Sequence, residues 1–247
     1  MNNIVLSPFG YGYQEERGFK TLKEQCKEQS SSAFSQLEER ISALEDIVFK
    51  AQTEEIIANI ANMTSGESLE VAFPTNISTD KSIEVKADTQ VTLDLNNKSI
   101  KNETPNVDTF LVAEGATLTI NGNGIISAAN GGDGYPIIAN GKLVINGGHF
   151  VSGYDADNLA NACVYARGNG QVEIYGGRFE TTDGTFVLNL KDSDRATASI
   201  KVMGGEFVNF NPSNNASEGP GTNFVAEGYK VESYVEGENT VYKVVKE

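Results

Sequence analysis

The chain contains few or none of several residue types that particular protein classes require. Its 247 residues include no tryptophan, two cysteines, one histidine and six prolines. Cys26 and Cys163 lie in different predicted regions without neighbours at metal-ligand spacing, so we expect free thiols and neither a disulfide framework nor a zinc site. Because His149 is the only histidine, a mechanism that needs two histidines is excluded. We expect His149 to be a solvent-facing turn residue.

Positive charge is also scarce. Lysine and arginine number 19 against 34 aspartates and glutamates, which gives a formal net charge of −15. A strongly acidic surface repels phosphates and anionic lipids. The composition therefore argues against nucleic acid and against a membrane surface as partners, and no motif indicates a cofactor or a bound metal.

Long hydrophobic segments are missing too. No run of 18 apolar residues occurs, and the first nine residues lack both the basic start and the apolar stretch of a secretory signal. We therefore expect a protein that is synthesised in the cytoplasm and is not exported through such a signal.

A phrase with two adjacent glycines is repeated three times. It reads Ile145-Asn-Gly-Gly-His-Phe150, Ile174-Tyr-Gly-Gly-Arg-Phe179 and Val202-Met-Gly-Gly-Glu-Phe207, with weaker copies ahead of it around Leu95 and Ile120. From Leu95 to Val202 the steps are 25, 25, 29 and 28 residues. One supersecondary unit per repeat at this period is typical of a solenoid.

The repeat predicts the fold class. Runs in which apolar and polar residues alternate, such as Gln171 to Tyr175, indicate strands with one solvent-exposed face. We expect the glycines to form the corners of each coil and the phenylalanines to point to the axis. We expect a mainly β protein, a right-handed parallel β-helix, preceded by an α-helical coiled-coil segment and closed by a C-terminal β-hairpin. A β-sandwich is the alternative, although sandwiches do not need a repeated phrase.

An α-helix is predicted ahead of the β-helix, because residues 14–63 hold almost no glycine and many helix formers. Apolar side chains recur there at alternating steps of three and four, and after a slip they continue at wider spacing. This predicted seam consists of Phe34, Leu37, Ile41, Leu44, Val48, Ile56 and Ile60.

The seam has two interpretations. We favour parallel self-association into a homo-oligomer, and the alternative is an amphipathic helix folded back as a cap on its own β-helix. Ile and Val at heptad position a with Leu at position d favour a dimeric coiled coil, whereas fibrous β-helices more often form trimers. The choice between dimer and trimer stays open at this point.

The N-terminal peptide is apolar, aromatic and punctuated by proline and glycine, which favours neither a helix nor a regular strand. Disorder at a terminus is one interpretation. The other is a peptide that docks onto a larger assembly, because aromatic side chains anchor interfaces. Its anchoring residues are Val5, Leu6, Pro8, Phe9, Tyr11 and Tyr13.

Four segments follow from these patterns. They are an anchoring peptide at 1–25, an oligomerising helix at 26–65, the parallel β-helix at 66–210, and a linker with a capping hairpin at 211–247.

The order of these parts resembles the fibre proteins of tailed bacteriophages, that is, head fibres, decoration proteins and short tail spikes. The Gly-Gly-x-Phe repeat is similar to pectate-lyase-like β-helix modules, including those in bacterial surface proteins. The resemblance implies a structural protein of the virion, a trimer bound through its N-terminus to a capsid or other virion protein, with glycan as a further ligand. The alternatives are a polysaccharide-depolymerising tail spike and a bacterial surface adhesin.

Catalysis is weighed against this interpretation and not expected. Some β-helix proteins cleave polysaccharides with a pair of carboxylates, one of which is held protonated by its surroundings. The predicted loops offer carboxylates but no spacing that groups them with a basic side chain. The candidates are Asp133, Asp155, Asp157, Asp183, Asp192 and Asp194, with Arg167, Arg178 and Arg195.

Overall fold

The computed structural model describes residues 10–153, 162–182, 186–215, 219 and 221–247, and for residues 10–23 and 26 it describes the backbone alone. The chain begins in this range with one long α-helix, α1, at Gly10–Asn62. The helix starts earlier than the glutamate-rich composition predicted, so Tyr11 and Tyr13 lie within it. Within the described ranges no helix is both long and apolar enough to cross a membrane.

Nineteen strands follow in these ranges, and the first fifteen form five successive triplets. These are β1 Ser68–Ala72, β2 Ile77–Thr79, β3 Ile83–Val85; β4 Gln90–Asp94, β5 Ser99–Asn102, β6 Phe110–Val112; β7 Thr117–Asn121, β8 Ile125–Ser127, β9 Ile137–Ala139; β10 Lys142–Ile145, β11 His149–Ser152, β12 Val164–Ala166; and β13 Gln171–Ile174, β14 Arg178–Thr181, β15 Leu188–Leu190. The last four are β16 Ser199–Val202, β17 Glu206–Val208, β18 Tyr229–Glu236 and β19 Asn239–Lys246.

The strands form three sheets that run along a solenoid. The first sheet has the order β1-β4-β7-β10-β13-β16, the second contains β2-β5-β8-β11-β14-β17, and the third β3-β6-β9-β12-β15. Neighbours within these series pair in parallel, as when Ile145 lies opposite Ile120 and Ile174. The predicted parallel β-solenoid is therefore confirmed, and the sandwich alternative is wrong because sandwich strands pair mainly in antiparallel fashion.

The repeated phrase fills the axis of the solenoid. Phe150, Phe179 and Phe207 occupy equivalent positions in β11, β14 and β17, and all three are fully buried. Their rings stack, with centroids 4.8 and 5.0 Å apart. Stacking follows from the parallel register, because strands one coil apart place equivalent side chains about one inter-strand spacing, roughly 4.8 Å, apart.

The two glycines of each phrase serve different purposes. Gly177 has a φ of +99°, a conformation that a side chain rarely adopts. At Gly176 the φ is not positive, but a β-carbon there would lie 2.5 Å from the carbonyl oxygen of Asn146 in the previous coil. The first glycine thus lets adjacent coils approach, and the second turns the chain into the next strand.

The repeated phrase did not predict the third strand of each coil. These strands are three residues long, too short for a periodic signal to be distinct from a turn. His149 was also placed wrongly: it is the first residue of strand β11, not a turn residue, and it is half-buried.

The C-terminal strands pair in antiparallel fashion. β18 and β19 are in register from Tyr229 opposite Lys246 to Glu236 opposite Asn239. β19 also pairs with β17, with Phe207 opposite Tyr242, and so extends the second sheet to eight strands. The segment predicted as a linker contains a bridge between Asn215 and Thr222, and Asn215 is buried.

Candidate self-association surface and predicted loops

The first five residues of the predicted seam form an exposed apolar stripe on α1. Phe34, Leu37, Ile41, Leu44 and Val48 are between 48% and 67% exposed. Isolated exposed apolar residues are normal, but five large ones repeated at three- and four-residue steps lie on one face of a helix. We call these five residues the helix stripe.

Two further apolar residues, Ile47 and Phe49, are exposed beside the helix stripe. The heptad pattern did not include them, because they fall at positions g and b when Phe34 is at a. Only their apolar side chains could have marked them in the sequence as part of this surface. They widen the surface that a partner could cover.

The last two residues of the predicted seam lie in a different environment. Ile60 is 1% exposed and belongs to the solenoid core, and Ile56 packs against that core together with Ile57. The chain divides into two compact units at this place, residues 1–50 and 51–247. The predicted seam is therefore not one surface: Phe34 to Val48 are exposed, and Ile56 and Ile60 are held within their own chain.

The change of environment explains the slip in the apolar spacing. Thr53 and Met63 are buried with Ile60, at the end of α1 that leads directly into β1. Ile60 and Met63 pack in the core of the solenoid and not against a second helix, so their spacing need not follow a heptad. The last turns of α1 thus pack into the solenoid core, as the helix-as-cap alternative expects of them.

Exposed charged residues flank the helix stripe. Glu38, Arg40 and Glu45 are all exposed. With Phe34 at a, Arg40 is at g and Glu45 at the following e. Side chains at these positions form ion pairs between helices in coiled coils.

The predicted anchoring residues lie mostly beyond the described part of the chain. Val5, Leu6, Pro8 and Phe9 fall outside it, and for Tyr11 and Tyr13 only the helical backbone is described. The anchoring function of this peptide stays a prediction.

Two of the candidate carboxylates within the described ranges, Asp192 and Asp194, accept hydrogen bonds from other residues. The Asp192 carboxylate accepts from Arg195 at 2.8 Å, and Asp194 Oδ2 accepts from the Gly168 N–H at 2.6 Å. This backbone hydrogen bond, with one from Ser193, lowers the pKa of Asp194. Asp155, Asp157 and Asp183 lie outside the described residues. Asp192 and Asp194 lie in a three-residue 3₁₀ helix, Asp192–Asp194.

A shallow groove follows the glycine corners along the solenoid. It is lined by the corner glycines and by polar side chains from successive coils, namely Asn123, Asn146, His149, Arg178, Glu206 and Lys243. Two close polar contacts lie at the groove: His149 Nε2 is 3.1 Å from Glu180 Oε1, and Lys243 Nζ forms an ion pair with Glu206 Oε1 at 3.1 Å. Arg178 also contacts Glu236. The groove is thus polar and contains both signs of charge.

Two stacked tyrosines lie beside an acid on the outside of the third sheet. The rings of Tyr135 and Tyr165 are 5.1 Å apart, and the Tyr135 N–H donates to Asp108 Oδ1 at 3.0 Å. Burial raises the pKa of Tyr135 to about 12, and burial likewise raises the pKa of Asp108. Arg167 lies over the Tyr165 ring and partly offsets both shifts. This cluster joins two coils, and its titration offers a test of the fold.

In the described part of the chain, no three His, Cys, Asp or Glu side chains come together as a metal site. The thiol of Cys163 is fully buried, and it lies within hydrogen-bond distance, as the donor, of the carbonyl oxygens of Phe150 and Glu180. Comparison of the chain with protein-family models, with curated proteins and with solved structures gives no match.

Proposed function

We propose that this protein is a structural, non-catalytic fibre or decoration protein, in which α1 joins the copies side by side and each copy displays a β-solenoid. We further propose that the assembly belongs to a virion and is attached through residues 1–25. The single observation that carries the proposal is the helix stripe, an exposed apolar surface at heptad spacing.

Burial of the helix stripe would supply the energy of association. Each fully buried Val, Leu, Ile or Phe side chain contributes about 1.5–3 kcal/mol relative to an exposed one. A helix that is apolar along one face is stable in water when that face is covered. Copies of the same helix cover it with matching spacing.

The flanking charges favour a parallel arrangement. In a parallel coiled coil, a residue at g lies near the residue at the following e of the neighbouring helix, so Arg40 of one copy lies near Glu45 of the next. Both pairs of a symmetric dimer, or all three of a trimer, would be attractive. We propose a trimer, as in the fibres that the chain resembles.

Two finer features of the fold belong to the same proposal. We take the solenoid to be right-handed, as in pectate-lyase-like modules, and β18 with β19 to be a hairpin that closes its last coil. The pairing of β19 with β17 supports the closing role, because it occupies the edge that β17 would otherwise leave open.

Paired substitutions test the helix stripe. Ile41→Asp with Val48→Asp places two charges on the stripe one heptad apart, and we expect a smaller particle mass by multi-angle light scattering, with a strand-rich circular dichroism spectrum retained. The matched control is Ser35→Asp with Ser42→Asp, which adds the same charges at the same spacing on exposed positions beside the stripe. An unchanged mass for the stripe variant would overturn the proposal.

Attachment is tested separately. Deletion of residues 1–9 leaves α1 and the solenoid complete, so the number of chains per oligomer should stay the same. We expect the deletion to abolish copurification with virus particles from the source. Equal incorporation of the deleted and full chains would contradict anchoring through the peptide.

The polar groove supports glycan binding as a second function. Amide, guanidinium and carboxylate groups that alternate over several coils can donate to and accept from the hydroxyl groups of a polysaccharide. Titration of the full chain with surface polysaccharides of the host should give saturable binding that Arg178→Ala weakens. Release of reducing ends in the same experiment would favour the depolymerase alternative instead.

A further inference from the structure

The eight-stranded sheet ends in a strand whose outer edge is open. β18 pairs with β19 on one side, and within the described ranges no strand lies on its other side. An open edge offers a row of backbone N–H and C=O groups to another strand. The edge also carries exposed apolar side chains: Val235 is 77% exposed and Tyr234 41%.

We propose that β18 pairs in antiparallel fashion with β18 of a second copy, about a two-fold axis at Ser233. Lys230 then lies opposite Glu236 of the partner, and Val231 opposite Val235. Glu232 lies opposite Tyr234. Each of these contacts occurs twice, as a symmetric interface requires. Opposite charges and apolar pairs directly across two strands are both stabilising.

The charges of β18 select this register. Two residues that lie opposite each other across antiparallel strands point to the same face of the sheet, and residues of one strand alternate between faces. A two-fold axis between two copies of β18 must therefore pass through a residue and not between two residues. Moving the axis by one residue changes every pair. An axis at Glu232 would oppose two glutamates. An axis at Tyr234 would place Glu232 opposite Glu236. Like charges in such positions are destabilising.

Two other registers avoid like charges within β18, with the axis at Val231 or at Val235. The axis at Val231 pairs only Tyr229 to Ser233 and leaves Val235 uncovered, and the axis at Val235 pairs only Tyr234 to Glu236. The axis at Ser233 pairs Lys230 to Glu236, seven of the eight residues of β18, and covers its most exposed apolar side chain. Charged edge strands usually prevent association; here the same charges exclude the neighbouring registers and complement one.

Existing contacts are compatible with the pairing. Within one chain Lys230 lies 3.0 Å from Glu232, and Glu236 contacts Arg178. All of these are exposed or half-exposed side chains, and a carboxylate can accept from two cations. The second sheet would then continue from one solenoid into the next, through an interface that does not use the helix stripe.

Single cysteines test the register in the full-length Cys26→Ser chain, where the remaining Cys163 is fully buried. Two residues opposite each other across antiparallel strands are close enough for a disulfide. We therefore expect Ser233→Cys to form a disulfide-linked dimer under mild oxidation. Val235→Cys is the matched control: position 235 is 77% exposed, but its two copies would lie about 13 Å apart along the strands at 3.3 Å per residue.

The outcomes decide between registers and random contact. A dimer from Ser233→Cys with little from Val235→Cys supports the proposal. Equal cross-linking of both, or cross-linking of Val235→Cys alone, overturns it, and so does the lack of a dimer for both.

A charge substitution separates this interface from the helix stripe. Lys230→Glu places a glutamate opposite Glu236 twice, so in the Ile41→Asp, Val48→Asp chain it should convert a remaining dimer into a monomer by light scattering. If that chain is already a monomer at concentrations up to those of the cross-linking experiment, the edge interface is wrong while the helix stripe is supported. If its mass is unchanged from that of the parent chain, the helix proposal fails, and the cysteine experiment still decides the edge.

Discussion

The rings of Phe150 and Phe179 stack with centroids 4.8 Å apart and planes within 8° of parallel. They lie opposite each other in adjacent parallel strands, β11 and β14. The distance between the rings is thus the distance between two coils. Each ring fills the section of the axis that its own coil encloses.

Truncation of the central ring should be costly. Phe179 is fully buried between Phe150 and Phe207, so Phe179→Ala removes two ring contacts and leaves a cavity. We expect a loss of about 3–5 kcal/mol in the free energy of unfolding, measured by urea denaturation. Tyr175→Ala, at an exposed position of the same coil, is the control and should cost far less. Similar losses for both variants would contradict the buried ring column.

The close approach of coils at the first glycine predicts a second large effect. Gly176→Ala would bring a β-carbon to 2.5 Å from the Asn146 carbonyl oxygen, a backbone atom that cannot move without its coil. Gly228→Ala is the comparison, because that glycine has a φ of +79° but open space around it. The strain of a left-handed residue costs about 1–2 kcal/mol. Thermal unfolding should therefore show a larger loss for Gly176→Ala, and the reverse order would be inconsistent with the tight corner.

The half-buried acid beside the tyrosine pair, Asp108, predicts a pH dependence. Burial raises the pKa of Asp108 above its ordinary value of 3.8, although the Tyr135 N–H and Arg167 act in the opposite direction. The folded chain therefore binds this proton more tightly than the unfolded chain, and the contribution to stability is lost as the pH rises through the raised pKa. Asp108→Asn keeps an acceptor for the Tyr135 N–H but cannot ionise.

The measurement is urea unfolding of both chains between pH 3 and pH 7. We expect the stability of the parent chain relative to Asp108→Asn to fall over this range. Glu84→Gln, which removes one negative charge from an exposed position of the same sheet, controls for the net charge. A relative stability that rises with pH would mean that the carboxylate is stabilised in the fold.

The sequence predicted those parts of the fold that repeat. The glycine pairs and the phenylalanines recur at a nearly constant interval, so their roles as corners and axis residues could be inferred from one chain. The three-residue strands of the third sheet carry no such pattern, and neighbours from other coils decide that they pair. His149 was misplaced for the same reason, because its strand is defined by Ile125 and Arg178 on either side.

The candidate surface was predicted only in part. The spacing from Phe34 to Val48 indicated one apolar face, which the structure shows to be exposed. Ile56 and Ile60 have the same residue type and a similar spacing, yet they pack in the core of their own chain. Spacing along a helix specifies which residues share a face, but it does not specify what covers that face.

By itself, then, the amino-acid sequence determined the solenoid, because each coil repeats the same local requirements for a corner, a short strand and an axial side chain. The tertiary structure decided which turns of α1 pack into the core and which strand stands at the end of the second sheet within the described ranges. Both depend on contacts between residues far apart in the chain, such as Phe207 with Tyr242, and no local pattern encodes them.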